Sequence, residues 1–486
     1  WGGALRINGG NVTIAVTEGK SLVYEGNKAG TNAEEAAVKK YEKQGDFMYL
    51  SNASDKATFA LAGDLTIKDS IVSNHGTIEK TGKGTLTTAD MTGFVGKLDV
   101  KEGKMVIEGG IAEYDIAAQI GVNNGSNDAV ALDATTVTVG QQDSKAELAM
   151  GAVQANHAIN FVVNKGSTLT MQSLAVGTKE YAQRTEAKAD PAKATYVGAV
   201  NIKGDATVTE GITVAAGTAD QAAALTQTSG NLTAKSLTVA AAVKGEKDAV
   251  TAQAGTFTQE AGKLTVDTLT NGGTMTVKDT VVTKADSVNT GAINSYDSKK
   301  GSLTIAGGTF TNDGTMTFDK ITVEDGATLK TGVNLNGEAS FVVFKELELQ
   351  KGSTLNINAL NAKSQVDGKE VEKADILKFT EGTVNLYGGA LQVAGEAFTG
   401  KVELAQGTTT NINGDYTFEQ VNNAGTTTVG GTLTVTDSFT AGTFKVDNNG
   451  TLVLTTKAAG LKIAEGTATT NSNLTNNGTI TFTDAA

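Results

Sequence analysis

The sequence predicts an all-β protein, a right-handed parallel β-helix (β-solenoid) with short loop or helical insertions. Three observations predict it: short alternating apolar runs separated by glycine turns, a recurring Asn-x-Gly-Thr signature, and few bulky core residues. The chain of 486 residues has 58 Gly, 1 Pro and only 5% aromatic residues. Because successive strand side chains point to opposite faces, each run has one apolar face, and stacked strands bury many narrow apolar layers.

The clearest single coil lies between residues 82 and 110. Gly96 and Gly103 separate runs in which apolar residues recur at every second position. Those apolar residues are Leu86 in the first run, Leu98 and Val100 in the second, and Met105 and Ile107 in the third. Three short strands joined by glycine turns in under thirty residues are typical of one turn of a solenoid.

Two stretches carry a resemblance to a known family. The coil contains Gly-x-Gly-Thr-Leu-Thr, Phe94-x-Gly96, Leu98-x-Val100 and Gly103-x-Met105-x-Ile107, and the chain opens with Gly2-Gly3-Ala4-Leu5, followed by Tyr24-Glu25-Gly26-Asn27. They resemble the passenger-associated repeat and the Gly-Gly-Ala-aliphatic and Phe-x-x-Asn pair of Gram-negative autotransporter passenger domains of the β-helical surface adhesin type. Tyr24 stands where the family has Phe. The resemblance covers about residues 1 to 110.

The resemblance implies type V secretion and display on, or release from, the Gram-negative outer membrane. The passenger would touch that membrane only through the family's C-terminal barrel, which lies outside this sequence. Because the chain starts within a recognisable unit, we expect a fragment or a processed passenger. Within the family, the absence of cysteine suits unfolded passage through a narrow pore.

The Asn-x-Gly-Thr signature recurs along the chain and predicts corners between strands. Asn hydrogen-bonds its own turn, Gly supplies positive φ, and Thr opens the next strand. Alternating apolar residues follow each copy, and stacked rungs with threonine and asparagine ladders leave only the two terminal coils as open edges. The copies begin at Asn74, Asn271, Asn312, Asn423, Asn448 and Asn476.

We expect one continuous solenoid passenger over residues 1–486, interrupted by insertions at about 31–47, 178–195 and 361–375. In the first, Asn32 and Glu35 are spaced as an N-cap and its N3 partner, which predicts a short helix over 32–44. An Ala-, Lys- and Glu-rich stretch predicts a second helix over 178–194, limited by Pro191. A further polar excursion is predicted near 244–249. Solenoids carry such insertions as loops, where variable binding is expected.

Charge and composition exclude several classes of function. With 40 basic and 53 acidic side chains the net charge is -13, which repels phosphate backbones and anionic membrane surfaces, so nucleic acid is not an expected partner. The chain has 0 Cys, which removes disulfides and thiolate chemistry. No stretch approaches the roughly 18 apolar residues of a membrane-spanning helix. No spaced ligand cluster is present, so neither a metal nor another cofactor is expected.

Two pairs of carboxylates have the spacing of candidate catalytic residues. Glu346 with Glu348, and Glu370 with Glu372, would each lie on one face of a strand about 7 Å apart, a separation that suits inverting glycoside hydrolysis. Lysines flank both pairs, and solvated strand-surface carboxylates are the favoured interpretation. His75 lies in an Asn-x-Gly-Thr corner and His157 in a predicted loop, so neither histidine is interpreted as catalytic.

Two further motifs have simple structural interpretations. Gly82-Lys83-Gly84 lacks the lysine spacing of a phosphate loop and is predicted to be a turn. The threonine runs at Thr408–Thr410 and Thr426–Thr428 resemble the hydroxyl arrays of ice-binding solenoids, but a solvated β-face is the favoured interpretation. We therefore assign no catalytic, cofactor-binding or metal-binding residue.

The leading hypothesis is a non-enzymatic extracellular solenoid that acts as a rigid stalk and multivalent binding surface. Its expected partners are a host or bacterial surface glycan or protein, or further copies of itself. The alternative is a self-assembling subunit of a surface filament or layer, built end to end. A polysaccharide lyase or hydrolase is the third hypothesis, since such activities occur on parallel β-helices, but fold alone does not establish an activity.

Overall fold

The structure is a computed structural model in which strands dominate the described part of the chain and no α-helix occurs. It describes residues 5–25, 46–50, 52–89, 91, 94–111, 135–141, 144–182, 193–246, 249–295, 301–331, 342–357, 365–366, 369–370, 376–393, 396–440, 442–455 and 473–483.

The strands up to residue 271 are β1 (Leu5–Ile7), β2 (Asn11–Val16), β3 (Ser21–Tyr24), β4 (Asp46–Leu50), β5 (Lys56–Leu61), β6 (Asp64–Ile67), β7 (Ser70–Thr81), β8 (Thr85–Thr88), β9 (Val95–Val100), β10 (Gly103–Ile107), β11 (Thr135–Val139), β12 (Ala146–Ala155), β13 (Ala158–Val163), β14 (Thr168–Val176), β15 (Thr178–Ala182), β16 (Lys193–Val197), β17 (Ala199–Lys203), β18 (Ala206–Val214), β19 (Ala224–Ser229), β20 (Leu232–Val239), β21 (Val243–Lys244), β22 (Val250–Ala252), β23 (Thr256–Gln259) and β24 (Lys263–Asn271).

The remaining strands are β25 (Thr274–Val277), β26 (Thr280–Thr283), β27 (Ser287–Asn289), β28 (Ala292–Ser295), β29 (Ser302–Ile305), β30 (Thr309–Asn312), β31 (Thr315–Val323), β32 (Thr328–Thr331), β33 (Val342–Leu349), β34 (Thr354–Ile357), β35 (Gln365–Val366), β36 (Lys369–Glu370), β37 (Ile376–Leu386), β38 (Ala390–Val393), β39 (Glu396–Ala397), β40 (Lys401–Ile412), β41 (Asp415–Asn423), β42 (Thr426–Val429), β43 (Thr432–Thr440), β44 (Thr443–Val446), β45 (Thr451–Thr455), β46 (Asn473–Asn476) and β47 (Thr479–Thr483).

The chain divides into two compact units. Unit 1 comprises Trp1–Thr265 with Gly272–Thr274, and unit 2 comprises Val266–Asn271 with Met275–Ala486. In unit 1 the strands form two long parallel ladders, β2-β5-β7-β9-β11-β13-β17-β19-β23 and β3-β6-β8-β10-β12-β14-β18-β20. In unit 2 one long ladder is β26-β29-β31-β33-β37-β40-β42-β44-β46, also parallel throughout. Parallel ladders of strands from successive coils confirm the predicted β-helix.

The core of each unit consists of inward side chains that stack in register from coil to coil. In unit 1, Leu65 packs on Leu86, which packs on Met105, and all three are at most 2% exposed. In unit 2, Leu303 and Ile321 are paired in the same way and are both 0% exposed. Burying one such side chain stabilises the fold by about 1.5–3 kcal/mol. The alternation recognised in the sequence is therefore the pattern that places one layer of each coil in the core.

Interior asparagines add a hydrogen-bonded ladder to the apolar columns of unit 2. Asn271 Nδ2 donates to Asn289 Oδ1 (2.7 Å), and Asn289 Nδ2 donates to Asn312 Oδ1 (2.6 Å). All three side chains are at most 1% exposed and follow one another in strand register. The predicted cross-coil asparagine ladder is confirmed here, because the side-chain N–H of one asparagine donates to the side-chain oxygen of the asparagine in the next coil.

The Asn-x-Gly-Thr corners are present, but the prediction that their glycines adopt a positive φ is wrong. At Asn271, Asn312, Asn423 and Asn476 the strand ends at the asparagine and the next begins at or near the threonine, whereas at Asn74 the strand β7 continues through a register irregularity. The signature glycines lie outside the set with positive φ. A Cβ on Gly314 would lie 2.0 Å from the carbonyl oxygen of Gly291. Close stacking of one corner on another therefore requires these glycines.

Where the sequence predicts insertions, the described residues form short antiparallel strand pairs. The helix expected over 178–194 is wrong for the described residues there, because β15 (residues 178–182) and β16 (residues 193–197) pair as antiparallel strands. Antiparallel strand pairs also flank the polar excursion predicted near 244–249, where β21 pairs with β22, and lie within the predicted 361–375 insertion, where β35 pairs with β36. In each strand pair, backbone pairing satisfies the groups that a helix would have satisfied internally.

The first insertion lies mostly outside the described residues. The helix predicted over 32–44 falls between residues 26 and 45, whose structure is not described, and β4 already begins at Asp46, inside the predicted 31–47 boundary. One continuous column over residues 1–486 stays a prediction.

Candidate functional site

An ordered array of polar side chains in the described part of unit 2 lies on the outward face of β33, β37, β40, β42 and β44. We call it the polar face. It has two columns in register, Glu346-Thr383-Thr409-Thr426-Thr443 and Glu348-Asn385-Asn411-Thr428-Lys445. Neighbouring strands in a sheet lie about 4.8 Å apart, so the columns repeat at that spacing along the coils. These residues turn outward because successive side chains of a strand point to opposite faces.

Side-chain hydrogen bonds tie part of the polar face into one network. Asn411 Nδ2 donates to Asn385 Oδ1 (2.8 Å), and Asn385 Nδ2 donates to Glu346 Oε1 (2.9 Å). Asn385 is only 7% exposed, whereas Thr409 and Thr426 are exposed. The network orients the amides, and the threonine hydroxyls beside it stay open to solvent.

The carboxylate pair predicted from the sequence is part of this face. Glu346 and Glu348 do share one side of β33, and both contact Lys320 of the preceding coil, at 3.1 and 2.6 Å from its Nζ. Burial alone would raise the pKa of Glu348, but hydrogen bonds from Lys320 and Gln350 outweigh it and hold that pKa below its usual value. The same two glutamates raise the pKa of Lys320.

This arrangement is unsuited to general acid catalysis. A glycosidase acid needs a raised pKa, and Glu348 is shifted the other way. Lys320 neutralises much of the local negative charge, so the interpretation as strand-surface carboxylates fits the contacts. Glu370 lies in β36, the partner of β35, while Glu372 lies outside the described residues.

The two histidines lie in different coils of unit 1. His157 occupies the bend between β12 and β13, as the predicted loop requires, and is 3% exposed with Nε2 2.9 Å from Thr135 Oγ1. His75 lies within β7 rather than at a corner between two strands. Gly82 has φ 77° in the bend between β7 and β8, which confirms the turn predicted for Gly82-Lys83-Gly84.

The threonine runs do not form flat hydroxyl arrays. Thr409 and Thr426 point outward, but Thr410 and Thr427 are at most 2% exposed and lie next to each other in strand register inside the coil. Their side chains line an interior space with Leu386, Phe418 and other apolar residues. The runs therefore divide between the polar face and the core because strand side chains alternate.

A second charged cluster, in unit 1, was not predicted. Glu79 bridges Lys56 (3.0 Å) and Lys101 (2.5 Å), so it joins three successive coils. Burial would raise the pKa of Glu79, and the two lysines more than offset this and lower it. The sequence does not show which residues of other coils lie beside Glu79. The available signal was an acidic residue at an outward position of a predicted strand.

Clusters of the kind that bind metals are not found among the described residues: no group of three or more His, Asp or Glu side chains is placed to hold an ion. Within the same residues, no helix has the length and apolar character needed to cross a membrane. Compared with known proteins, the sequence matches no family model, no curated protein and no solved structure.

Proposed function

We propose that the chain is an extracellular β-solenoid of a Gram-negative surface, acting as a rigid stalk with a multivalent binding surface, in the manner of an autotransporter passenger. The polar face is the observation that carries the proposal. It offers hydroxyl and amide groups at a fixed spacing on a backbone already ordered by parallel ladders. Because the protein surface is already ordered, binding a partner with a repeating polar surface costs little conformational entropy of the protein. Many weak contacts can then act together as one strong interaction.

The chemistry of the polar face favours a neutral, hydroxyl- or amide-rich partner, which includes surface glycans. Thr409, Thr426 and Thr443 present exposed hydroxyls that both donate and accept hydrogen bonds. Glu346 and Glu348 are paired with Lys320, so the anionic part of the face is largely neutralised. The antiparallel strand pairs β15–β16 and β21–β22 provide separate contact points outside the ladders.

The test is binding of the purified chain to arrays of glycans and extracellular matrix proteins. The variant Thr409→Lys/Thr426→Lys places two bulky cations on the polar face. The matched control Thr417→Lys/Thr434→Lys makes the same change on the outward positions of β41 and β43, which pair with each other. We expect the first variant to lose at least about tenfold in apparent affinity, and the control to bind as the unmodified chain does.

Two results would contradict the proposal. One is a folded chain, verified by its β-type circular dichroism, that binds nothing on either array. The other is equal binding by both double variants, which would remove the polar face from the interaction. Release of reducing ends from a polysaccharide panel would instead favour the enzymatic hypothesis.

A further inference from the structure

Asn-Gly pairs recur in the turns and corners of this chain, and five of them lie within the residues that the structure describes. Their asparagines are Asn8, Asn271, Asn413, Asn449 and Asn477. Because glycine has no Cβ, it does not hinder its own backbone nitrogen from approaching the side-chain carbonyl carbon of the preceding asparagine. All five pairs therefore share one possible reaction, and the fold decides in which of them it can proceed.

Four of the five glycine N–H groups are engaged in hydrogen bonds. Gly9 N donates to Asp55 Oδ1 (2.6 Å), and Gly272 N donates to the carbonyl oxygen of Val239 (2.8 Å). Gly450 N donates to the carbonyl oxygen of Asp447 (2.8 Å), and Gly478 N donates to Asn476 Oδ1 (3.1 Å). A hydrogen-bonded N–H resists the loss of its proton and is directed at its acceptor, so that bond must break before the nitrogen can react.

The N–H of Gly414 differs from the other four. In the part of the chain that the structure describes it has no hydrogen-bond acceptor, although the carbonyl oxygen of the same residue accepts from Thr432 N (3.1 Å). Gly414 is half-buried, and the side chain of Asn413 is exposed. An exposed amide therefore lies beside a peptide nitrogen that no hydrogen bond within the described residues holds.

The stacking of two corners accompanies this unpaired N–H. Gly414 lies so closely over Gly388 that a Cβ on it would be 2.4 Å from the Gly388 Cα. In that preceding corner, the carbonyl oxygen of Gly389 accepts from the hydroxyl of buried Tyr416 (2.9 Å). A side chain therefore takes up an acceptor of the corner on which Gly414 stacks.

We propose that Asn413 is a site of spontaneous deamidation, a covalent modification that converts its side-chain amide into an acid. Gly414 N bonds to Asn413 Cγ while the Cγ–Nδ2 bond breaks, and Nδ2 leaves as ammonia with the proton that Gly414 N gives up. Water then opens the resulting cyclic imide at either carbonyl carbon, which gives aspartate or isoaspartate. The reactants are the chain and water alone, and nothing is oxidised or reduced.

Either product changes the end of the polar face. Asn413 follows Asn411 of that face by two positions, so the new carboxylate adds negative charge beside a column of neutral amides. Isoaspartate also lengthens the main chain by a methylene group, in a corner where Gly414 already lies directly over Gly388. We therefore expect this corner to stack less tightly after modification. The inference goes beyond the stalk and adhesive role and does not depend on it.

The test compares the described pairs within one folded chain. The purified unmodified protein is incubated at mildly alkaline pH, and peptide mapping by mass spectrometry follows aspartate and isoaspartate at each asparagine over time. We expect Asn413 to react at least about tenfold faster than Asn271, Asn449 and Asn477, whose glycine N–H groups must first leave their acceptors. A parallel incubation in urea is the control, because in the unfolded chain the pairs differ only in flanking sequence and should react at similar rates.

Two variants check the assignment. Asn413→Gln, whose longer side chain does not form the same ring, should remove the earliest acidic species, and the matched control Asn477→Gln should retain it. Equal rates at Asn413 and Asn449 in the folded chain would overturn the proposal. So would a rate at Asn413 that is about tenfold lower in the folded chain than in urea. The readout is the mass and charge of the chain itself, so it is independent of the array binding that tests the adhesive role.

Discussion

Lys80 is the residue whose position departs most from ordinary core composition. It lies between Phe59 and Val100 in the inward register of unit 1 and is fully buried. Its Nζ donates to the backbone carbonyl oxygens of Gly82 and Glu102, the latter at 2.7 Å. The buried ammonium thus ties together the turns of two successive coils, and those carbonyls replace part of the water it has lost.

The pH dependence of stability tests this role. Burial lowers the pKa of Lys80 to about 8, against the partial opposition of Glu102 and Asp64, whereas the unfolded chain keeps the ordinary value of 10.5. Between these values the unfolded state binds more protons, so folding becomes more favourable as the pH rises. We expect the unfolding free energy of the unmodified chain to gain about 1–2 kcal/mol over that of Lys80→Met between pH 7.5 and 9.5.

Denaturant unfolding at both pH values measures the difference. Lys83→Met, which removes an exposed lysine two residues beyond β7, is the matched control and should track the unmodified chain. Parallel pH profiles for the unmodified chain and Lys80→Met would show that the ammonium does not titrate in this range.

At the scale of elements, the corners set how closely successive coils stack. The backbone of one corner glycine passes directly over the corner of the preceding coil, as Gly314 does over Gly291, and Gly478 similarly approaches Asp447. Asn423 Oδ1 accepts from Gly425 N (3.1 Å), so asparagine holds its own corner as predicted. The motif combines a side-chain hydrogen bond with a position where a Cβ has no room.

Gly314→Ala tests the steric half of this argument. Its added Cβ would lie 2.0 Å from the carbonyl oxygen of Gly291, and a clash of that kind costs about 1–3 kcal/mol because the stacked corners must separate. Thermal unfolding and hydrogen exchange of β30 and β31 amides measure the effect. Gly10→Ala, whose Cβ would meet nothing within 4 Å, is the control and should change stability by less than about 0.5 kcal/mol. Equal effects of both substitutions would contradict the steric explanation.

At the scale of the whole molecule, each strand finds its main partners in the coils directly before and after it. Phe161 packs between Val137 and Ile202, and all are buried. Stability in stacked coils is therefore a sum of local terms, each shared with the adjacent coils. A destabilising substitution in one coil is expected to destabilise the adjacent coils and to have little effect on more distant ones.

Phe161→Ala tests this locality. Removing the ring costs about 3–5 kcal/mol locally, and we expect amides of β11, β13 and β17 to lose hydrogen-exchange protection while those of β42 and β44 keep theirs. Asn160→Ala, which truncates an outward side chain on the same strand, should leave both sets protected. A uniform loss of protection throughout units 1 and 2 would instead show global cooperativity.

By itself the sequence determined the class of fold and the inward face of its clearest alternating runs. Alternation such as Leu98-x-Val100 specifies which side chains turn inward, because a strand has a period of two whatever its partners are. It also located the corners at Asn271, Asn312, Asn423 and Asn476 and the carboxylate pair at Glu346 and Glu348. These are local properties, and short-range backbone and side-chain geometry decides them.

Only the tertiary structure decided what depends on which coil lies next to which. Lys320 pairs with Glu346 and Glu348 across a coil boundary, Lys80 finds carbonyl partners in two turns, and residues 178–182 pair with residues 193–197 as antiparallel strands instead of forming a helix. The contacts of Lys320 with Glu346 and Glu348, and that of Lys80 with Glu102, join residues 22 to 28 positions apart. Because the register of the ladder sets those contacts, a pattern within one strand does not contain them.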